Sequence, residues 1–221
     1  SLEELFLNQV NEGKKIYSLL KKNKIDKKIK NLIDVGSGIG GILFYLKNFF
    51  KAKGADYLGL RSKFALKKNL DIIDIKKINN LNEKFDLVIY NHVFEHIFDL
   101  NQEIKLIKKL LNKNGYVLII VPGIKNINMN YNYNFINYLS IPHPRSFSAK
   151  TLKNFMIKNQ FEKIYLDNRV VSLFRYSKNN YSNYKIDNDF FGIILYIIKI
   201  EIIYFCLKIY RIFKKLSLLK K

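Results

Sequence analysis

The sequence has a single cysteine, few acidic residues and no recognisable metal-binding spacing. One cysteine, Cys206, excludes a disulfide within the chain and a metal site built from several cysteines. Such a chain suits a reducing compartment, so we expect a cytoplasmic protein. No grouping of His, Cys, Asp and Glu has the spacing typical of a metal site, and no activated Ser or Cys nucleophile is recognisable. We therefore expect no bound metal.

Acidic residues number 18 against 39 Lys and Arg, which gives a formal net charge of +21. An excess of this size is typical of proteins that bind nucleic acid or an anionic surface. Nearly all of it is lysine, however, scattered singly or in pairs such as Lys14-Lys15 and Lys108-Lys109. We interpret the charge as solvated helix faces and expect no nucleic-acid partner.

The first 22 residues lack the basic and apolar regions of a signal peptide, because acidic residues come first and charges interrupt the apolar positions. The apolar residues Leu5, Val10, Ile16 and Leu19 instead predict an amphipathic helix that covers the edge of a sheet.

Apolar strands and helical stretches alternate along the middle of the chain. The predicted strands are Leu32–Val35, Tyr57–Leu60, Asp71–Asp74, Phe85–Tyr90, Tyr116–Val121, Lys163–Leu166 and Val170–Phe174. The predicted helices are Ile42–Lys51, Lys63–Asn69, Leu100–Asn112 and Ala149–Asn159. This alternation indicates a Rossmann-like α/β fold, a mostly parallel seven-stranded sheet with helices on both faces. The last two strands are joined by too few residues for a crossover, so the final strand should be antiparallel.

The segment NLIDVGSGIGG places a glycine-rich turn directly after the first strand. In a parallel sheet this turn normally holds the ligand. Gly36-x-Gly38-x-Gly40 is typical of S-adenosylmethionine sites, and Gly36-x-Gly38-x-x-Gly41 of dinucleotide sites. Asp34 would attract a cationic amino-acid portion and repel a pyrophosphate, which favours S-adenosylmethionine. A glycine-rich turn that binds no ligand is the alternative.

The second predicted strand ends near Arg61, where both cofactor classes usually present an acid to the ribose hydroxyls. Arginine suits a 2′-phosphate, so an NADP-dependent oxidoreductase remains a second candidate. Asp56 is the nearest upstream carboxylate, but the predicted strand places it at the start rather than the end.

Residues 83–123, EKFDLVIYNHVFEHIFDLNQEIKLIKKLLNKNGYVLIIVPG, resemble the class I S-adenosylmethionine-dependent methyltransferases. Together with the glycine turn, the resemblance covers residues 1–178, which we take as the methyltransferase domain. It implies S-adenosylmethionine as cofactor. The residues that it implies around the cofactor are Asp34, Gly36, Ser37, Gly38, Ile39 and Gly40 at the methionine part, Asn91 and His92 after the fourth strand, Asp74 near the adenine, and Arg61 as a departure at the ribose.

The stretch VPGIKNINMNYNYNFINYLSIPHPRSFS is similar to methyltransferases associated with bacterial surface polysaccharide (lipopolysaccharide and O-antigen) biosynthesis. The similarity implies a lid over residues 123–147 and a glycan or glycan-lipid precursor as acceptor. A hydroxyl acceptor needs a base, and the candidates are His92 and His143. The alternatives are that His92 packs in the cofactor wall and that His143 orders the turn at Pro142–Pro144.

The remaining residues, 179–221, form a hydrophobic and basic extension. Lys199, Glu201, Lys208 and Arg211 interrupt its apolar run, so a helix in the inner-membrane surface over 190–221 fits better than a spanning helix. The alternative is packing on the domain itself or in a homodimer. A non-catalytic, membrane-associated protein of the same fold is a further candidate.

Overall fold

The computed structural model describes residues 1–127, 131–139, 143–177 and 184–218. Its strands form one seven-stranded sheet in the order β3-β2-β1-β4-β5-β7-β6. The strands are β1 Asn31–Val35, β2 Lys51–Asp56, β3 Ile72–Asp74, β4 Phe85–Asn91, β5 Leu111–Ile120, β6 Phe161–Leu166 and β7 Val171–Tyr176. Strands β1 to β5 pair in parallel, and β7 is antiparallel to both β5 and β6. The predicted Rossmann-like α/β fold is confirmed.

Helices flank the sheet and alternate with its strands. They are α1 Leu2–Lys22, α2 Gly41–Leu46, α3 Leu60–Lys67, α4 Leu100–Leu110, α5 Phe135–Leu139, α6 Ala149–Lys158 and α7 Phe190–Leu218. Short 3₁₀ turns cover Asp26–Lys28, Ile75–Asn80 and Phe94–His96. A side-chain cap begins each of three helices, with Ser1 before α1, Asp99 before α4 and Ser148 before α6.

Alternate residues of β4 face two separate apolar layers. Leu87 and Ile89 belong to the layer packed against α1 and α2, whereas Val88 and Tyr90 belong to the layer under α4 and α6. A strand that is buried on both faces reads as a continuous apolar run, which is why β4 was predictable. The two layers fix the sheet between helices and leave its carboxyl edge open.

Two predictions about the amino-terminal half are wrong. The second strand is Lys51–Asp56 rather than Tyr57–Leu60, and the helix predicted to reach Lys51 ends at Leu46. Helix α1 packs mainly on α2, with Phe6, Ile16 and Leu20 buried.

The carboxyl-terminal helix α7 touches the domain at one end. Asp189, just before it, pairs with Lys125 at 2.6 Å, and Ile200 packs with Ile127 and Tyr138 of the predicted lid. Most other large apolar side chains of α7 are exposed. The division of the chain at residue 178 stays a prediction, and Lys178 itself lies outside the described residues.

Candidate functional site

The glycine turn lies at the carboxyl end of β1, between β2 and β4. Gly36, Gly38 and Gly40 all have positive φ, at 73°, 58° and 81°. A Cβ on Gly38 would meet only the Gln9 side-chain nitrogen, at 3.1 Å, and would otherwise project into the open cleft that Gly38 lines. The turn therefore presents bare backbone to a ligand.

Gly41 begins α2 and, unlike Gly36, Gly38 and Gly40, does not have a positive φ. A Cβ at this position would lie 2.3 Å from the Phe6 carbonyl oxygen of α1, so glycine here permits α1 and α2 to pack closely. Its N–H donates to Gln9 Oε1 at 3.0 Å. The three-residue spacing from Gly38 to Gly41 thus reflects helix packing, and the spacing from Gly36 to Gly40 belongs to the turn.

Asp56 ends β2 and reaches the glycine turn. Its Oδ2 accepts a hydrogen bond from the Gly38 N–H at 2.5 Å. This is where cofactor-binding α/β folds hold ribose hydroxyls. The prediction that Asp56 begins the strand and that the strand ends near Arg61 is wrong, whereas a contact between Arg61 and the cofactor stays a prediction. Arg61 is an exposed residue in the first turn of α3. The argument for a 2′-phosphate placed Arg61 at the end of the second strand, and Asp56 holds that place instead.

A cleft of about 530 Å³ opens above this turn. It brings together six of the predicted cofactor residues: Gly36, Gly38, Ile39, Arg61, Asn91 and His92. Asp34 and Ser37 are buried outside its lining, as is Gly40. The Asp74 carboxylate caps the turn that follows, accepting from the Lys76 N–H at 3.0 Å, and Ile75 faces the cleft in its place.

Asp34 is a buried carboxyl group that has no hydrogen-bond donor or cation beside it among the described residues. It is 1% exposed, and neither of its oxygens has a hydrogen-bond partner among the described residues. Burial, and to a lesser extent the nearby charge of Asp56, raises its pKa to about 8. In the free protein this group holds a proton at neutral pH, and a cationic ligand nearby would favour its ionised form.

Two further buried oxygens at the turn also lack partners within the described part of the chain, Ser37 Oγ and Asn91 Oδ1. Unpaired buried polar atoms are rare and point to a missing ligand or water. The donor set therefore fits an adenosyl cofactor. Bare backbone faces its amino-acid portion, Asp56 offers a carboxylate to a ribose, and Asp34 provides potential negative charge near an ammonium group.

A second cleft of about 450 Å³ adjoins the first. Its lining includes Tyr131, Tyr165, Asn126, Asp167 and Arg169, and it shares Glu12 and His92 with the first cleft. His92 has φ of 55° and is anchored by its N–H, which donates to the Ile120 carbonyl at 2.8 Å, while its side chain is 58% exposed. The imidazole therefore stands where the two clefts meet.

The predicted lid closes over the end of β4. Gly123 and Phe147 form a bridge, and Arg145 donates to the carbonyls of Ile97 and Phe98. This arrangement places the His143 ring 4.8 Å from the His96 ring. Burial lowers the pKa of His143. Residues 128–130 and 140–142 of the lid, including Pro142, lie outside the described residues.

Sequence reasoning missed Glu95. Its side chain is 2% exposed, and its Oε1 lies 3.5 Å from His92 Nδ1. Ligand atoms of Glu95, His96 and His143 lie within 4.8 Å of one another, a grouping that the spacing along the sequence did not indicate. The spacing His92-x-x-Glu95-His96 was visible in the sequence, but the contribution of His143 depends on the lid.

A family profile described as a methyltransferase domain matches residues 10–166. No curated protein matches the chain significantly. Among solved structures, an S-adenosylmethionine-dependent methyltransferase of Archaeoglobus fulgidus is 21% identical, with 68% of this chain and 69% of that one covered and a TM-score of 0.52.

Two further structures cover more of the chain. A Methanococcus maripaludis protein, named as a candidate for the same enzyme class, is 16% identical over 81% of this chain and 93% of its own, with a TM-score of 0.56. A Thermotoga maritima S-adenosylmethionine-dependent methyltransferase is 18% identical over 81% and 100%, with a TM-score of 0.51. Identities this low support the fold, and the profile match over most of the chain assigns the family. The chain belongs to the methyltransferase-domain family, the class I S-adenosylmethionine-dependent methyltransferases, with S-adenosylmethionine as cofactor.

Proposed function

We propose that this enzyme methylates a hydroxyl group of a glycan or glycan-lipid precursor at the cytoplasmic face of a membrane. The observation that carries the proposal is the junction of the two clefts at His92. The first cleft fits the cofactor, and the second offers tyrosine rings with amide, carboxylate and guanidinium groups. Such groups suit a sugar, which presents apolar CH faces and many hydroxyls.

S-adenosylmethionine supplies a methyl group on a positively charged sulfur, and the rest of the cofactor is a good leaving group because it departs as a neutral thioether. The protein's task is therefore to hold the acceptor in line and to exclude water. Bare backbone at Gly36 and Gly38, with Asp56 beside it, would hold the cofactor from one side. Tyr131 and Tyr165 would hold the acceptor from the other side.

His92 would accept the proton of the acceptor hydroxyl. Glu95 Oε1 lies within ion-pair distance of His92 Nδ1 and would stabilise the imidazole once it is protonated, which leaves Nε2 for the acceptor. His143 is the second candidate base, because the lid places it beside the same carboxyl group and burial lowers the pKa of its imidazole. Replacement of His92 by Asn should cut the rate of transfer by about 10²–10⁴ and lower the cofactor affinity by a much smaller factor.

Calorimetric titration with S-adenosylhomocysteine, S-adenosylmethionine and NADPH is the first test. Micromolar binding of the two adenosyl compounds alone supports the cofactor assignment, after which transfer of a labelled methyl group to extracted polysaccharide or lipid-linked sugar tests the acceptor class. Binding without transfer to any sugar contradicts the glycan proposal. Absence of adenosyl binding favours a non-catalytic protein of this fold.

The helix α7 supports the membrane proposal. Within its segment Phe190–Lys214, an 18-residue window has a mean hydropathy of 2.2 and is only 6% buried, so by length and composition the helix is also apolar enough to span. Lys199, Glu201, Lys208 and Arg211 favour a position in the interface, because a charged residue at the bilayer centre costs about 2.5–3.5 kcal/mol. Anionic headgroups would match its basic residues.

Flotation with anionic vesicles tests this part of the proposal. We expect the full chain to float with them and to be released by high salt, whereas a chain cut after residue 189 stays at the bottom. Release only by detergent indicates a spanning helix. The full chain could instead fail to float and form a dimer in solution that the truncated chain does not form. That result would indicate that α7 is a protein interface.

A further inference from the structure

All three histidines of this chain surround one buried carboxylate, Glu95. His92 and His96 flank it in sequence at the end of β4, and His143 comes from the lid, 48 residues further along the chain than Glu95. Ligand atoms of Glu95, His96 and His143 lie within 4.8 Å of one another. His92 Nδ1 is 3.5 Å from the Glu95 Oε1 atom.

The second carboxyl oxygen of Glu95 indicates that this cluster lacks a ligand. Oε2 is fully buried and has no hydrogen-bond partner among the described residues. An ionised carboxylate in that position is unfavourable unless a cation or donor compensates it. Lysine and arginine supply no ion pair to Glu95 within the described ranges, although they outnumber the acidic residues by 39 to 18. The site therefore has a buried carboxyl oxygen available to a ligand, with two imidazoles beside it.

We propose that Glu95, His96 and His143 bind one divalent transition-metal ion, of the zinc, manganese, iron or cobalt class. Two imidazoles and one carboxylate suit these ions better than magnesium or calcium, which prefer oxygen ligands alone. Three protein ligands leave coordination positions open, as in catalytic metal sites.

The position of the site suggests what the ion does. His96 and His92 line the cofactor cleft, and Tyr131 lines the acceptor cleft. Burial raises the pKa of Tyr131, and the nearby Glu95 adds a smaller effect in the same direction. This role rests on the proposed function. An acceptor hydroxyl bound to the ion would become more acidic, and its proton would pass to His92. The ion would thus select acceptors that offer a hydroxyl, or two adjacent hydroxyls, to the metal.

The test uses the full chain prepared without a polyhistidine tag, stripped with a chelator and titrated with Zn²⁺, Mn²⁺ or Co²⁺ alone. We expect one ion per chain by elemental analysis after gel filtration, and for Co²⁺ a visible absorption band from nitrogen and oxygen ligands. Glu95→Gln and His143→Asn should each weaken binding by about a hundredfold or more. His143 is only half-buried, so its variant should fold even if Glu95→Gln does not.

Glu12→Gln is the matched control, because Glu12 is a carboxylate that lines both clefts but pairs with Lys15. It should leave metal affinity within about twofold. The proposal would be overturned if the native chain bound the metal ions only weakly. It would also be overturned if the native chain and both ligand variants bound them with equal affinity. Titration with S-adenosylhomocysteine separates the two ideas: cofactor binding without metal refutes only the metal site, and metal binding without cofactor refutes only the proposed function.

Discussion

Two buried carboxyl groups lie near the cofactor cleft, and their surroundings differ in the kind of group that lies beside each of them. Asp34, beneath the glycine turn, is close to another acid, Asp56, and its pKa is raised to about 8. Glu95, behind β4, is surrounded by three imidazoles. The first group stores a proton until a cationic ligand arrives, whereas the second has groups around it that can share a cation. Residue type alone did not distinguish them.

The largest expected effect is on the pH dependence of folding stability, which should distinguish Asp34 from a carboxylate with an ordinary pKa. Its pKa is higher in the folded state than in the unfolded state, so stability from this group is complete below about pH 4 and is lost as pH rises toward 8. The loss is about 1.4 kcal/mol per pH unit. Asp34→Asn should therefore gain stability relative to the native protein as pH rises.

Urea unfolding of both proteins from pH 5 to pH 8 measures this difference, and the pair at pH 5 serves as the internal reference. A stability difference that stays constant across the range would mean that Asp34 ionises normally, and the contrast with Glu95 would then fail.

The next effect concerns Asp56, the neighbour that helps to raise the pKa of Asp34. Asp56→Asn should weaken S-adenosylhomocysteine binding by about 10- to 100-fold, because it removes charge-assisted hydrogen bonds to the ribose and loosens the hold on Gly38. Arg61→Ala, in the same cleft, should change affinity by no more than about twofold. Calorimetry on the two variants decides between Asp56 and Arg61 as the ribose-side residue, and a reversed order would restore the sequence-based assignment.

The error at Arg61 shows what the sequence could not supply. The segment KAKGAD contains two lysines and a glycine, so its strand propensity is poor, and the neighbouring YLGL is more apolar. Pairing with β1 on one side and β3 on the other makes the polar segment a strand. Once β2 shifts upstream, Asp56 becomes its last residue. A local pattern cannot reveal this, because the decisive hydrogen bonds come from other strands.

The parts predicted well have strong local patterns. The strand β4 is a continuous apolar run, and the turn after β1 contains three glycines with positive φ. The candidate metal site was only partly predictable from such local patterns. His92, Glu95 and His96 are adjacent in sequence, but His143 joins them only through the bridge between Gly123 and Phe147. Its assembly is a property of the tertiary structure.

The smallest effect returns to Asp34 and tests what its stored proton does. At pH 7 the free protein carries this proton, and the ammonium group of a bound cofactor should displace it, since opposite charge lowers a carboxyl pKa. S-adenosylhomocysteine binding should then release up to one proton, seen as a dependence of the binding enthalpy on the ionisation enthalpy of the buffer. Asp34→Asn should abolish the release and weaken binding by about tenfold. Glu95→Gln, the matched carboxyl-to-amide change, should keep the release. If both variants lose the proton release, the proton belongs to a network that joins the two carboxyl groups. Asp34 and Glu95 would then differ only in how strongly each one holds the proton.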